Sequence, residues 1–506
     1  MISNGVESFE LFPEPSLLAP PKAPPRLPGA NSKTTEALLE ILKDNHEKWH
    51  IFYDDLGRHN HVTHQILALW AFGAHQDLLN GSYHKNISLQ RPKPEITEAI
   101  TSSNFNDHLG DKTYYSAYLA FFDNVVREHK GDPGSLMEQY IYSTKANFGS
   151  TSQKGEHPQM ACRFLELIVH PIIHFGYGIE FGLPVMLSEG LAQTAVHPAQ
   201  FTLAPLISES LFTSVLSAPN EKQPGAPSVH AFTVVARILA DPRFKIPGTT
   251  FIEVIPQLFM KHSPAFMEHV NQWTVDVQKL AADPKEIDRK IEELQWINTI
   301  LYAVSGYTNL KEDKFNADFV YMHLVTSALF LPILAAHLSP TSQALLLRTY
   351  FTVSLTWWIA NGRPTLDISA FMRAENFIHN NQSHPTPSGP HPAPHPGALS
   401  SSSSIATNPN PWLYMVQQAS VHPDDHLPKI VRSLSHFALL YGQRKAGEAD
   451  FAQTELKGAE MLDGTLFVRA AALTARRLEN IEADEHLAYW DRPGFLDSAG
   501  DDAANK

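Results

Sequence analysis

Residues 282–304 read ADPKEIDRKIEELQWINTILYAV, and their spacing decides the fold class. Ile287, Ile291, Leu294, Ile297, Leu301 and Val304 recur at steps of three and four, the period of an α-helix with one apolar face. Asp283 can cap that helix, Pro284 suits its first position, and Glu286 puts an acid in the first turn.

The same period persists outward in both directions. It runs through TTEALLEILKDNHEKWHIF (34–52), HVTHQILALWAFGA (61–74), YYSAYLAFFDNVVREH (114–129) and SVHAFTVVARILAD (228–241). Strand-like alternation is almost absent, so the expectation is an all-α protein, a large multi-helix single body. Residues 319–338, FVYMHLVTSALFLPILAAHL, are about long enough to cross a bilayer. His323 and Pro332 inside the run favour a buried central helix, and no membrane span is expected. The proline-rich residues 1–33 read as an extended arm before a helical body at 34–378. Residues 379–409 are rich in proline and serine and read as a disordered insert. A helical part at 410–492 then completes the body, and 493–506 reads as a flexible tail.

Composition narrows the function classes. Of 506 residues, 39 are Lys or Arg and 53 are Asp or Glu, a net charge of -14. With no concentrated basic patch, that surface repels phosphate backbones, so nucleic acid is not an expected partner. The single cysteine, Cys162, rules out a disulfide within the chain. MISNGVESFELFPEP lacks a basic start followed by an apolar stretch, so it is not read as a signal peptide, and a cytoplasmic location is expected.

Familiar catalytic motifs are missing. No G-x-G-x-x-G follows a strand, no G-x-S-x-G appears, and FGYGIEFG (175–182) follows a helix-like segment. Chemistry must then rest on histidine, carboxylate, lysine and tyrosine. Histidines recur by segment: RHNHVTH holds His59, His61 and His64; HPIIHFGYG holds His170 and His174; VHPDDHLPK holds His422 and His426, with Lys429 three residues on. His323 stands alone in the most apolar stretch. A histidine pair at helical spacing is more often a hydrogen-bonded pair than a ligand pair. Three groups plus a lone buried imidazole make a metal site worth weighing, because both ring nitrogens need partners.

Prolines help to rank the pairs. Pro423 fits a first helical turn capped by His422, with Asp424 and Asp425 in that turn and His426 on the helix. Pro428 either bends this helix or takes a tolerant early position. Pro171 is expected to break the helix ending at His170, leaving His174 and the glycines to re-aim the chain. His174 and His426 are thus preferred as ligands, and His170 and His422 are kept as catalytic candidates. Tyr118 and Tyr177 are candidate proton donors. Aromatic residues in YYSAYLAFF and the pair Trp357–Trp358 can line a flat pocket or simply pack a core. Lys429 can be exposed and paired with Asp425, buried and neutral, or carboxylated to an anionic ligand. A histidine shell with one anionic oxygen suits Fe(II), and also Zn(II) or Mn(II).

Five longer stretches stand out together: HNHVTHQILALWAFGA (59–74), NFNDHLGDKTYYSAYLAFF (104–122), HPIIHFGYGIEFG (170–182), MHLVTSALFLP (322–332) and NPWLYMVQQASVHPDDHLPKIVRSL (410–434). In them the chain resembles the questin oxidase-like family of fungal secondary metabolism. The similarity spans roughly 35–450 apart from the insert. The resemblance implies oxidative opening of a polycyclic aromatic quinone ring of the anthraquinone type, with molecular oxygen as co-substrate. It also implies iron held by His61, His174, His323 and His426, with Lys429 carboxylated. A small polycyclic aromatic substrate and a separate quinone reductase are the partners it suggests. The rival readings are an NAD(P)H- or flavin-dependent Baeyer–Villiger-type monooxygenase, a non-catalytic helical scaffold and a zinc hydrolase.

Overall fold

The computed structural model describes residues 9–199, 206–216, 228–310, 314–374, 410–479, 481 and 489–496. Helix follows helix along them, as the periodicity predicts, and pairing between extended residues is limited to isolated bridges such as Trp49–Pro92 and Phe52–His59. The all-α expectation holds. The described chain forms two compact units, one from Met1–Leu216 with Phe330–Leu346 and one from Ser217–Leu329 with Leu347–Lys506. The expected insert at 379–409, residues 497–506 of the expected tail and residues 1–8 of the arm lie outside the described residues.

In the first unit, α1 (Ser32–Lys48) starts at a capping box, where Asn31 accepts from the Thr34 N–H and the Thr34 hydroxyl answers the Asn31 N–H. Every residue of α2 (Val62–Ala71) is buried. α3 (Tyr115–Glu128) turns Tyr115, Tyr118, Leu119, Phe122, Val125 and Val126 inward. α4 (Glu166–Phe181) lies against α5 (Pro184–Val196). Glycine allows this approach, since a Cβ on Gly178 would stand 2.8 Å from Leu187, and Gly176 likewise lets the Phe330 ring close on α4. The FGYG glycines therefore serve packing. Part of the proline-rich arm is seated here, with Leu27 N–H donating to the Ala71 carbonyl and the Arg26 guanidinium over Trp70.

The expected break at Pro171 is misplaced by a few residues. Leu167, Ile168 and Val169 hold φ of 43°, 58° and 56°, in the left-handed region. That region costs roughly 1–2 kcal/mol per residue with a Cβ, and β-branched residues rarely enter it. Regular helix follows, so Pro171 sits in its first turn, and His174 and the glycines stay helical.

In the second unit, α6 (Pro284–Thr308) has the predicted cap: Asp283 accepts from the Lys285 N–H, with Pro284 in the first turn. α7 (Phe319–Ala328) begins at Asp318, whose carboxylate accepts from the Tyr321 N–H. Asn298 and Gln295 of α6 donate to the Leu324 and Ala328 carbonyls of α7. The single buried helix expected over 319–338 is in fact two, because Pro332 opens a separate short helix at Leu331–Ala335. Among the described residues no helix is long and apolar enough to cross a membrane. α8 (Pro411–Val421), α9 (Leu427–Tyr441) and α10 (Leu466–Leu478) complete this unit.

Candidate functional site

The histidines of the first unit are gathered by the turn that opens α2. Asn60 caps the Val62 N–H and donates to Asn45, fixing the backbone between His59 and His61. His61 Nε2 meets His170 Nε2 at 2.8 Å, and His59 Nε2 meets His197 Nε2 at 2.8 Å. The two pairs stack, the His59 and His170 rings lying 3.8 Å apart and 10° from parallel. His170 Nδ1 faces the Leu167 carbonyl at 2.7 Å and His197 Nδ1 faces the Gln193 carbonyl at 2.5 Å. Carbonyls only accept, so both Nδ1 atoms carry the proton and both Nε2 atoms keep a lone pair. Within each pair His59 and His61 then donate, unless a cation takes their place. Burial pushes His197 down to about 4, so it stays neutral near pH 7.

A second chain runs through α5. His64 Nε2 lies 3.0 Å from His174 Nδ1, and His174 Nε2 lies 2.7 Å from Glu189 Oε2. Glu189 Oε1 receives His46 Nδ1 at 2.9 Å, and His46 Nε2 lies 3.4 Å from Asp123. Asp123 borders a surface cavity of about 360 Å³ that Lys93 and Ser116 also line. Burial works against the charge on Glu189, yet hydrogen bonds from His174 and His46 hold its carboxyl down at about 2. Burial likewise opposes the imidazolium of His46, but Asp123 and Glu189 raise it to about 9. The pair is thus ionised and His174 donates through Nε2, leaving its Nδ1 to accept from His64.

This pair carries a pH prediction. The raised His46 stabilises the fold fully below about pH 6.5 and loses that contribution as pH rises through about 9. The depressed Glu189 contributes above about pH 4.5 and loses that as pH falls through about 2. Melting temperature should peak between these limits, with about 3 kcal/mol shared by the pair. Glu189→Gln should flatten both flanks in a pH series of thermal melts; an unchanged profile would show that the pair does not set it.

The second unit holds the other candidates. His323 Nδ1 lies 2.7 Å from the Phe319 carbonyl, which fixes the proton there and leaves Nε2 with its lone pair. The His323 and His426 rings stand edge to face, 5.1 Å apart. His422 ends α8 instead of capping a helix, and residues 422–426 form a loop before α9. Asp424 and Asp425 are therefore not in a first helical turn, and Pro428 occupies the tolerant early position of α9. Asp424 Oδ1 accepts the N–H groups of His426 and Leu427, each at 2.9 Å. Asp425 Oδ1 is 3.0 Å from His426 Nδ1, and Lys429 Nζ is 3.9 Å from Asp425 Oδ2. Asp424, Asp425 and His426 each offer a ligand atom within 4.8 Å of the others. Lys429 is 4% exposed, and burial pushes its amine down against the pull of Asp425 and Asp424.

The other sequence candidates have defined partners. His422 donates to the Leu478 carbonyl and accepts from the Asp424 N–H, so both its nitrogens help to hold the loop. The Tyr118 hydroxyl donates to the Phe105 carbonyl at 2.5 Å, and burial pushes it up. Tyr177 stacks on His64, 5.2 Å between centroids. Of the ligand set implied by the resemblance, His61 and His174 are residues of the first unit, and His323, His426 and Lys429 of the second. His46, Glu189 and His197 were missed. The partners of Glu189 lie 143 and 15 residues away, beyond any local spacing rule.

The chain matches the questin oxidase-like family over residues 58–434. Baeyer-Villiger oxidase ptaJ of Pestalotiopsis fici is 24% identical over 410 residues, 79% of this chain and 80% of its own. The questin oxidase of Aspergillus terreus is 24% identical across 79% of each chain, and that of Aspergillus fumigatus 25% across 87% of each. These matches support an oxidoreductase activity. With nearly three quarters of its length aligned, the chain belongs to the questin oxidase-like family.

Proposed function

We propose that this chain is a Baeyer–Villiger-type oxidase, inserting oxygen from O2 into a ring of a polycyclic aromatic ketone or quinone and thereby opening it. The observation that carries the proposal is a buried pair of imidazoles within a chain of this family, His323 and His426, with the half-buried carboxylate of Asp425 against His426 and Lys429 beside it. Neutral imidazole and carboxylate donors fit Fe(II). Such an ion, when bound, supplies a Lewis-acid centre and a means of activating O2.

The chain's own residues prepare that position. The Phe319 carbonyl orients His323, and the carboxylate of Asp425 favours the proton on His426 Nδ1, so that Nε2 keeps its lone pair. Asp424 ties down the start of α9. A buried, neutral Lys429 amine is the form that adds CO2: its nitrogen lone pair bonds to carbon, one proton leaves, and an anionic carbamate results. Lys429 is proposed to be carboxylated in this way. His61 and His174 stay as proposed ligands, each open to test by substitution.

A second reading is favoured by the names of the relatives. A Baeyer–Villiger monooxygenase sends one oxygen atom to water and needs two electrons, which NAD(P)H, with or without flavin, would supply. A separate reductase that makes the hydroquinone form of the substrate would supply the same two electrons. Among the described residues there is no strand, so the strand–glycine loop–helix cradle for a dinucleotide is not formed by them.

Elemental analysis and a visible spectrum separate the two readings, and O2 uptake with an anthraquinone-type substrate tests the oxygen chemistry that both require. Stoichiometric iron without a flavin band, and turnover that stops without O2, is the expected result. Bound flavin without stoichiometric metal, or turnover under strict anaerobiosis, would overturn it.

A further inference from the structure

The C-terminal residues 489–496 cross the second unit at the point where His323 and His426 meet. The Asp491 N–H donates to the Ala317 carbonyl at 3.0 Å, and its carbonyl accepts the Phe319 N–H at 2.8 Å. Its carboxylate accepts the Ala317 N–H at 2.9 Å and takes Arg477 at 3.3 Å. The Phe319 N–H belongs to the first turn of α7, where helical donors have no partner within the helix. This segment therefore completes the start of the helix that carries His323.

On one side of Asp491, Trp490 donates from Nε1 to Asp424 Oδ1 at 3.1 Å, the same oxygen that caps His426 and Leu427. Its ring packs edge-on to His426, 6.0 Å between centroids, and is 3% exposed. On the other side the Arg492 guanidinium lies 4.1 Å from the centre of the Phe319 ring. That ring in turn packs on both His323 and His426. Further on, the Phe495 N–H donates to the Asn361 carbonyl and its ring stacks on Tyr321.

The far anchor is shaped for this contact. Gly494 holds φ of +71°, and a Cβ there would stand 2.2 Å from the Asn361 side chain. Gly362, at φ of +103°, would place a Cβ 2.5 Å from the Phe495 backbone. Two glycines in left-handed conformations let two backbones touch where side chains would keep them apart. Hydrogen bonds at Asp491, the indole on Asp424 and this glycine dock are three separate attachments along one short segment.

We propose that Tyr489–Leu496 is a strap that closes the His323–His426 site, with Trp490 as a positioning residue that holds the loop of Asp424 and His426 under it. The strap rests on the reading of these two histidines as the reactive centre. Closing it keeps water from the donors. Opening it requires release of local bonds only, so access is set by a local equilibrium rather than by global unfolding.

The test uses the metal-free full-length chain and diethyl pyrocarbonate, which modifies accessible neutral imidazole, with labelling read peptide by peptide by mass spectrometry. Trp490→Ala should speed labelling of His323 and His426 about tenfold or more, by raising the local opening equilibrium. Gly494→Val should do the same from the far anchor without touching the site. His436 on α9 and His64 in the first unit should keep their parental rates. Parental rates at His323 and His426 in both folded variants would overturn the proposal, as would a uniform rise that includes His436 and His64. A second measurement follows zinc loss to a chelator from protein loaded with Zn(II) alone, and should speed up in the same variants. If the parent takes up neither Zn(II) nor Fe(II), the metal reading above falls, while the labelling still decides the strap.

Discussion

Lys429→Ala is expected to lose bound iron and turnover together, by about two orders of magnitude in metal affinity or more, a loss at least as large as those seen when only a supporting residue is removed. The amine is buried on α9, one turn beyond His426, and burial drives it toward its neutral form. Neutral imidazoles do not offset the charge of a divalent cation, and a carbamate on Lys429 would add an anionic oxygen to that of Asp425. Lys429→Arg should rescue neither property, because guanidinium does not take up CO2 and stays charged. Lys429→Glu should recover part of the metal through its own carboxylate. Folding stability of the metal-free protein should change little or rise in Lys429→Ala, since a buried amine is costly to keep. Iron content by elemental analysis and O2 uptake, with and without bicarbonate during reconstitution, measure all of this. Full iron and activity in Lys429→Arg would show that the carbamate is not needed. Iron retained with turnover lost would instead mark Lys429 as a base.

His323→Ala should abolish metal binding while leaving helicity close to that of the parent. His323 is 1% exposed, in the middle of α7, and its Nδ1 is committed to the Phe319 carbonyl. Truncation opens a small cavity and removes that bond, for about 2–4 kcal/mol of stability in the metal-free chain. Circular dichroism should show the helices intact and thermal melts a lower midpoint. Equal metal occupancy in mutant and parent would remove His323 from the centre and leave it as a core histidine. His323→Gln, which keeps much of the volume, should restore most of the stability and none of the metal, separating packing from ligation.

The helical class and the capped start of α6 at Asp283 and Pro284 could be read from the residues in order. Helix period, capping and turn chemistry act over three or four residues, so a linear reading captures them. Where a local rule had two outcomes, the linear reading chose less well. Pro171 and Pro428 each proved to occupy a first helical turn, and the break beside His170 fell on Leu167, Ile168 and Val169, residues whose types disfavour it. Nothing along the chain pairs His61 with His170 across 109 residues, couples Glu189 to His46 across 143, or seats Trp490 on Asp424 across 66. Those contacts arise when whole apolar faces pack. The choice among several histidines of equal chemistry then falls to the few ångströms of ring placement that helix packing sets, a length on which spacing along the chain carries no information.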